Sequence, residues 1–242
     1  MDIYIASIEA WRRQREESLT APDGWLSVAG LEWLREGENT VEGIVFTRRG
    51  SAVWLGEKEL KSDTPGPADN MTVGDKTLFV IVRGAKVGLR LRDKKSPFLR
   101  DFRGLNWYPV RPEYCVTARW IPYEAPQPRL LDTVLEGFEE EYVSTGLAEF
   151  EVSGVTCRLE PMVSGGRLFF IFRDQTSGKT TYGASRFLYA DAPVDGLVVI
   201  DFNKAYNPPC AFTPYATCPL PPPGNWLAVG IEAGELKYVG HF

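Results

Sequence analysis

The start of the chain has apolar side chains at helical spacing, separated by glutamate and arginine. The apolar positions are Ile3, Ile5, Ile8, Trp11 and Leu19. Residues three or four apart share one face of a helix, so this pattern predicts an amphipathic helix over residues 2–19. The turn-forming residues 22–24 then end it. After this point the hydrophobic period changes to two, which is typical of strands.

Two later segments predict β-hairpins, because folding each at its turn brings apolar residues together on one face. The turns lie at residues 84–85 and 153–154. The expected apolar pairs are Val82–Val87, Val80–Leu89 and Leu78–Leu91 in the first hairpin, and Val152–Val155, Phe150–Cys157 and Ala148–Leu159 in the second. The other face of the second hairpin sets Glu149 against Arg158, an opposite-charge pair. This register makes Cys157 a small buried hydrophobe.

Further strands follow from apolar runs bounded by turn residues. They are predicted at residues 167–174, 180–190, 196–203 and 226–234, with shorter ones at 41–46, 52–55 and 113–121. The last of the long runs, 226–234, is expected to close the sheet. The predicted fold class is therefore mainly β, with antiparallel sheets forming a sandwich or a partly closed barrel and one N-terminal helix.

Three regions are expected along the chain. The N-terminal helix occupies residues 1–22, a β subregion residues 23–104, and a larger antiparallel sheet or barrel residues 105–242. Proline-rich joints at 64–67 and 122–128 are the predicted seams.

Residues 203–223 combine seven prolines with aromatic side chains at Tyr206, Phe212 and Tyr215. Proline removes backbone donors, so this segment cannot extend a regular sheet. The aromatic side chains provide apolar area for docking on the protein itself. We therefore predict an ordered, proline-rich strap that covers a sheet edge or a barrel mouth.

Composition and charge exclude several functions. The formal net charge is −5, which argues against nucleic-acid binding, since that needs clustered lysine and arginine. No stretch reaches the roughly 18 apolar residues of a membrane span, and the start does not resemble a secretory signal. The expectation is a cytoplasmic protein that binds neither nucleic acid nor membrane. The oligomeric state is not predicted.

The only histidine is His241, which argues against catalytic triads and histidine-based zinc sites. The glycine-rich stretches do not match phosphate-binding loops, so neither a metal nor a cofactor is expected. Any catalysis would have to use carboxylates, arginine, tyrosine, lysine or a thiol.

Strand alternation suggests one polar cluster near the strap. Tyr182 and Arg186 share one face of their predicted strand, and Asp201 and Asn203 share a face of the next. If those faces coincide, Arg186 and Asp201 form a charge pair, which either anchors the strap or orients a small anionic or polar ligand. The candidate ligand-binding residues, including three from the strap, are Tyr182, Arg186, Asp201, Asn203, Tyr206 and Cys210. Asp174 is expected to cap its turn.

Cys210 and Cys218 lie in the strap, separated by seven residues. Three interpretations remain open: two buried thiols, a redox-active or regulatory disulfide, or half of a metal site. A cytoplasmic location favours thiols for all four cysteines.

Residues 201–227, DFNKAYNPPCAFTPYATCPLPPPGNWL, closely resemble the signature of an uncharacterised prokaryotic family, domain of unknown function 1684. The similarity continues in FRDQTSGKTTYGASRFL and in DGWLSVAGLEWL near the N-terminus. The resemblance implies family membership, and it implies no particular reaction, cofactor or site residue.

Two functional hypotheses follow. The first is a small-ligand-binding, β-barrel-like module, with or without an enzymatic activity that does not use histidine. The alternative is a structural or protein-interaction module without pocket chemistry. A concave site opening beside Arg186 would favour the first, and a solid core with a flat apolar patch the second.

Overall fold

The structure of the protein is a computed structural model that describes residues 2–63 and 67–240. His241 and most of the predicted seam at 64–67 lie outside the described residues. The chain divides into two compact units. One contains the chain up to Glu17, Arg103–Ala211 and Ala216–Val239. The other contains Ser18–Phe102 and Phe212–Tyr215, with Gly240. The domain boundaries expected from the sequence stay a prediction.

The predicted N-terminal helix is confirmed as α1, Ile3–Thr20, and a short helix α2 spans Pro97–Asp101. Fifteen strands are present in the described residues: β1 Val28–Trp33, β2 Gly37–Val41, β3 Ile44–Arg49, β4 Ala52–Leu55, β5 Lys58–Leu60, β6 Met71–Val73, β7 Lys76–Arg83, β8 Lys86–Asp93, β9 Cys115–Asp132, β10 Glu139–Val152, β11 Val155–Leu159, β12 Met162–Ser164, β13 Arg167–Phe172, β14 Arg186–Ala190 and β15 Leu197–Asp201. Single turns of 3-10 helix lie at Trp25–Ser27, Pro112–Tyr114, Phe202–Lys204, Pro209–Ala211 and Pro223–Asn225.

The unit built on Ser18–Phe102 has two four-stranded sheets, in the orders β1-β8-β7-β6 and β2-β3-β4-β5. The hairpin of β7 and β8 has the predicted register, with Val82 opposite Val87. Alternation along these strands supplies one apolar core. Its buried members are Leu34, Phe46, Val53, Leu60, Leu78, Val80, Val87 and Leu89.

The other unit pairs a sheet of order β11-β10-β9-β15 with a sheet of order β12-β13-β14. The hairpin of β10 and β11 also has the predicted register, and Arg158 Nε donates to Glu149 Oε2 at 2.7 Å. Inward side chains of both sheets, including Phe150, Phe170 and Ile200, share one buried core. The predicted class is confirmed: mainly β, antiparallel and sandwich-like, with one N-terminal helix. No sheet within the described residues closes into a barrel.

The predicted seam at 122–128 is wrong, because β9 runs through it without ending. Three prolines are tolerated there since the pairing of β9 with β10 is irregular. The register shifts between Ser144 and Gly146, where residues 123–126 have no partner in the ladder. In addition, β15 pairs only with the first five residues of β9, so the seam lies on an edge where missing donors cost little.

The strand predicted at 226–234 is also wrong. Its first part makes only isolated backbone hydrogen bonds, from the Leu227 amide to the Arg173 carbonyl at 2.8 Å and from the Gln175 amide to the Val229 carbonyl at 3.0 Å. Side chains bind the backbone beyond it: Arg186 donates to the carbonyls of Ile231 (Nη1, 3.0 Å) and Ala233 (Nη2), and Asp174 accepts from the Ile231 amide at 3.3 Å. Arg186 and Asp174 are both fully buried and form an ion pair at 2.8 Å. The strand predicted at 180–190 begins only at Arg186.

The strap at 203–223 is ordered and largely buried, as predicted. Tyr206 exchanges two backbone hydrogen bonds of 2.9 Å with Phe187, so the strap covers the free edge of β14. Further on, the Leu220 amide donates to Asp132 at the end of β9, at 2.7 Å. Within the other unit, Thr213 Oγ1 donates to the Val28 carbonyl at 3.0 Å. Proline-rich backbone therefore ends one sheet without exposing its edge.

Candidate functional site

A cavity of about 550 Å³ lies against the outer face of β15. Alternation sends Val198 and Ile200 into the core, while Leu197, Val199 and Asp201 line the cavity. The neighbouring strand β9 adds to the same wall, because its Thr117 pairs with Val199 and its Cys115 with Asp201. The volume is within the range of small-molecule sites, roughly 300–1,000 Å³.

One end of the cavity is a hydrogen-bonded polar cluster. Helix α1 supplies Tyr4, whose hydroxyl donates to Asp201 Oδ1 at 2.9 Å. Asn203 Nδ2 donates to the Tyr4 oxygen at 2.9 Å and to Asp201 Oδ1 at 3.2 Å. The Lys204 ammonium lies 3.6 Å from Asp201 Oδ2 and keeps 38% of its side chain exposed. The carboxylate is thus satisfied within the protein, and Lys204 is the cation presented to the cavity.

The Tyr4 hydroxyl and the Cys115 thiol, which lie near the Asp201 carboxylate, stay protonated at neutral pH. Burial, together with the Asp201 carboxylate, raises the pKa of Tyr4. Burial is also the main cause that raises the pKa of Cys115, and the Asp201 charge acts in the same direction. Cys115 is therefore a thiol at neutral pH, and a thiol is a poor nucleophile.

The other end of the cavity holds an arginine fixed on an aromatic ring. The Arg167 guanidinium lies 5.3 Å from the ring centre of Tyr189, which is stacked on Phe169 at 4.7 Å. Arg167 Nε donates to Asp191 Oδ1 at 3.2 Å. Its two Nη atoms have no partner among the described residues, so the forked side of the guanidinium is available to a ligand.

The two ends are separated by the length of β15. Four residues of extended strand span about 13 Å from Leu197 to Asp201, and between them Leu197 and Val199 expose apolar surface to the cavity. Each end has one ion pair, Arg167 with Asp191 and Lys204 with Asp201. The arrangement fits an elongated molecule with polar ends and an apolar middle.

The structure separates the residues that the sequence grouped together. Asp201 lines the cavity and Asn203 supports it, but Arg186 does not pair with Asp201. Arg186 is fully buried against Asp174 and is not among the cavity residues. Asp174 also caps its turn as expected, because its Oδ1 accepts from the Thr176 amide at 2.7 Å. The concave site therefore opens beside Asp201 and not beside Arg186.

The remaining candidates lie in two other clusters. Tyr182 donates to the Cys210 carbonyl at 3.2 Å. The Arg15 guanidinium lies over the ring of Tyr206, 4.5 Å from the ring centre. Neither cluster contributes to the cavity lining.

Sequence reasoning missed Tyr4, Arg167 and Lys204. Tyr4 is almost two hundred residues from its partner Asp201, so no local pattern joins them. Arg167 had a usable signal: antiparallel pairing of β13 with β14 sets Phe169 opposite Tyr189, which places Arg167 near Asp191. The register of this strand pair alone would therefore predict Arg167 and Asp191 at one end of the cavity.

In residues 2–63 and 67–240, no cluster of three or more histidine, cysteine or acidic side chains could hold a metal ion. Over the same described ranges, every helix is too short or too polar to cross a membrane.

Within the described residues the fold is mainly β, and a cavity with charged side chains at both ends lies against β15. The chain belongs to the family described as "Protein of unknown function (DUF1684)", whose model matches residues 100–236, more than half of the chain. It is also similar to an uncharacterised protein of Haloarcula marismortui whose structure was solved by NMR. That similarity has 30% identity and a TM-score of 0.50, and covers 60% of this chain and 83% of the other. No curated protein matches the chain significantly.

Proposed function

We propose that the protein binds a small organic anion in the cavity on β15. The observation that carries this proposal is the position of Arg167, whose guanidinium lies over the Tyr189 ring and whose Nε donates to Asp191. Both Nη atoms remain for a ligand, and a planar carboxylate can accept from such a pair in a bidentate contact.

The rest of the cavity supports a ligand with an apolar body and a second polar group. Leu197 and Val199 would contact the body. Lys204, which lies beside the Tyr4 hydroxyl and the Asn203 amide, would donate to a polar group at the other end of the cavity from Arg167. The proposal concerns binding only, because the nearest thiol, Cys115, has a raised pKa that disfavours nucleophilic attack.

We further propose the cytoplasm as the compartment. The four cysteines are present as thiols, including the adjacent pair Cys210 and Cys218, which fits a reducing environment.

The test is a thermal-shift and calorimetric series with α,ω-dicarboxylates and monocarboxylates of increasing length. A ligand at one hundred times its Kd stabilises the folded state by about 2.7 kcal/mol. That corresponds to roughly 5–10 °C in Tm for a chain of this size. Affinity should be highest when the chain length matches the separation of Arg167 and Lys204.

Arg167→Met should weaken binding at least tenfold, because the bidentate contact is lost. Arg158→Met is the matched control, since Arg158 is an equally exposed, ion-paired arginine that does not line the cavity. Equal binding by both variants, or no shift with any carboxylate, would contradict the proposal and leave the interaction-module hypothesis as the better one.

A further inference from the structure

Two thiols in the strap lie in direct contact, away from the cavity. Cys218 Sγ accepts a hydrogen bond from the Cys210 amide at 3.3 Å. Seven residues separate the two cysteines, and these include the segment Phe212–Tyr215. Cys218 is buried, whereas Cys210 is partly exposed. Cys210 is therefore the more exposed cysteine of the pair, and Cys218 lies beside it.

The surroundings of Cys210 favour its thiolate. The hydrogen bond from the Cys218 thiol is the main cause that lowers the pKa of Cys210, and the Tyr182 hydroxyl acts in the same direction against burial. Cys115 is also partly exposed, but burial and the Asp201 carboxylate raise its pKa. The two partly exposed cysteines thus have pKa values shifted in opposite directions.

We propose that Cys210 is an oxidation site for hydroperoxides, with Cys218 as the resolving thiol. The Cys210 thiolate attacks one peroxide oxygen, the O–O bond breaks, and the departing hydroxide takes up a proton to give water. Cys210 becomes a sulfenic acid. The Cys218 sulfur then attacks the Cys210 sulfur, the S–O bond breaks, and a second water leaves.

The balance for hydrogen peroxide is two thiols and one H₂O₂ giving one disulfide and two waters. A dithiol reductant converts the disulfide back to two thiols by thiol–disulfide exchange and is itself oxidised to a cyclic disulfide. The disulfide would close a loop around residues 211–217, so oxidation would add a covalent link to a segment that already has a restricted backbone because of its prolines.

The test uses the full chain, reduced and then exposed to hydrogen peroxide, followed by unfolding and alkylation with N-ethylmaleimide. Mass measurement should count four labels before oxidation, two after it, and four again after dithiothreitol. Peptide mapping should place the disulfide between Cys210 and Cys218. In timed samples, Cys210 should be lost at least tenfold faster than Cys115.

Variants separate the two steps. Cys218→Ser should stop at the sulfenic acid, which dimedone traps as one adduct on Cys210. Tyr182→Phe should slow the reaction at least threefold, and Cys115→Ser should leave its rate unchanged. Oxidation of Cys115 as fast as Cys210, or a disulfide with another partner, would overturn the proposal. If Cys218→Ser does not fold, this rate comparison within the unmodified chain still decides the question.

Discussion

Glu235 is a fully buried acid whose ionisation should control stability near neutral pH. Its Oε1 accepts from Asn207 Nδ2 at 2.8 Å, and its Oε2 lies 3.4 Å from Arg15 Nε. Burial raises the pKa of Glu235 from 4.5 to about 7, and the contacts with Arg15 and Asn207 only partly offset this effect. The long ion pair thus fails to compensate for the lost hydration of the carboxylate.

The sign of the pH dependence follows from the raised pKa. Between pH 4.5 and about 7 the folded chain holds a proton on Glu235 that the unfolded chain has released. The stabilisation is therefore complete below pH 4.5 and is lost as the pH rises through 7. This difference in the pKa of Glu235 between the folded and unfolded chain corresponds to about 3 kcal/mol in the free energy of unfolding.

The measurement is the free energy of unfolding by urea from pH 4.5 to 8, for the unmodified chain and for Glu235→Gln. All other titrating groups are common to both, so they cancel in the difference. The unmodified chain should lose about 3 kcal/mol relative to the variant across this range. Glu232→Gln, which changes a mostly exposed acid nearby, should give a constant difference.

The opposite trend would refute this reasoning. If the Arg15 contact outweighed burial, Glu235 would be ionised at low pH in the folded chain, and the unmodified chain would gain stability relative to Glu235→Gln as the pH rises. A difference that stays within about 0.5 kcal/mol would show that the carboxyl group is hydrated.

Three further outcomes are expected. Arg186→Ala should cost roughly 3–5 kcal/mol in urea unfolding because it strands the buried Asp174 carboxylate, whereas the exposed Lys179→Ala should cost under about 0.5 kcal/mol. Gly234→Ala should destabilise by at least about 2 kcal/mol more than Gly178→Ala; both have φ near +80°, but only a Cβ at 234 would lie 2.4 Å from a carbonyl oxygen. Each of the seven X-Pro bonds in the strap can be in the wrong isomer in the unfolded chain, so about half or more of the molecules should refold slowly, over tens to hundreds of seconds. Prolyl isomerase should accelerate this slow phase. If the phase is unchanged after replacing prolines 219, 221, 222 and 223, the result would contradict docking of the strap.

The parts of the fold that the sequence predicted are those set by local pattern. The register of β10 with β11 follows from the alternation on both sides of Ser153, and helix α1 from its apolar spacing. The strand predicted at 226–234 failed because its backbone makes only a few isolated bonds to residues 173–175, and the side chains of Arg186 and Asp174 bind its second part. A pattern of apolar residues does not reveal which groups satisfy the backbone.

The candidate site was predicted less well, for a related reason. Alternation along β15 places Asp201 on the same face as Leu197 and Val199, and these three residues line the cavity. The choice of charge partner was wrong, since Asp174 and Asp201 are equally plausible for Arg186 until the packing is known. Long-range contacts such as that of Tyr4 with Asp201 leave no trace in a single sequence.

The contact between Tyr4 and Asp201 also has a consequence for synthesis on the ribosome. Tyr4 leaves the exit tunnel early, but its partners Asp201 and Asn203 follow almost two hundred residues later. Other contacts of α1 are made by residues that emerge much earlier, such as Trp107, whose ring lies 5.7 Å from that of Trp11. The helix therefore has partners about halfway through synthesis, whereas the polar end of the cavity is completed only late in translation.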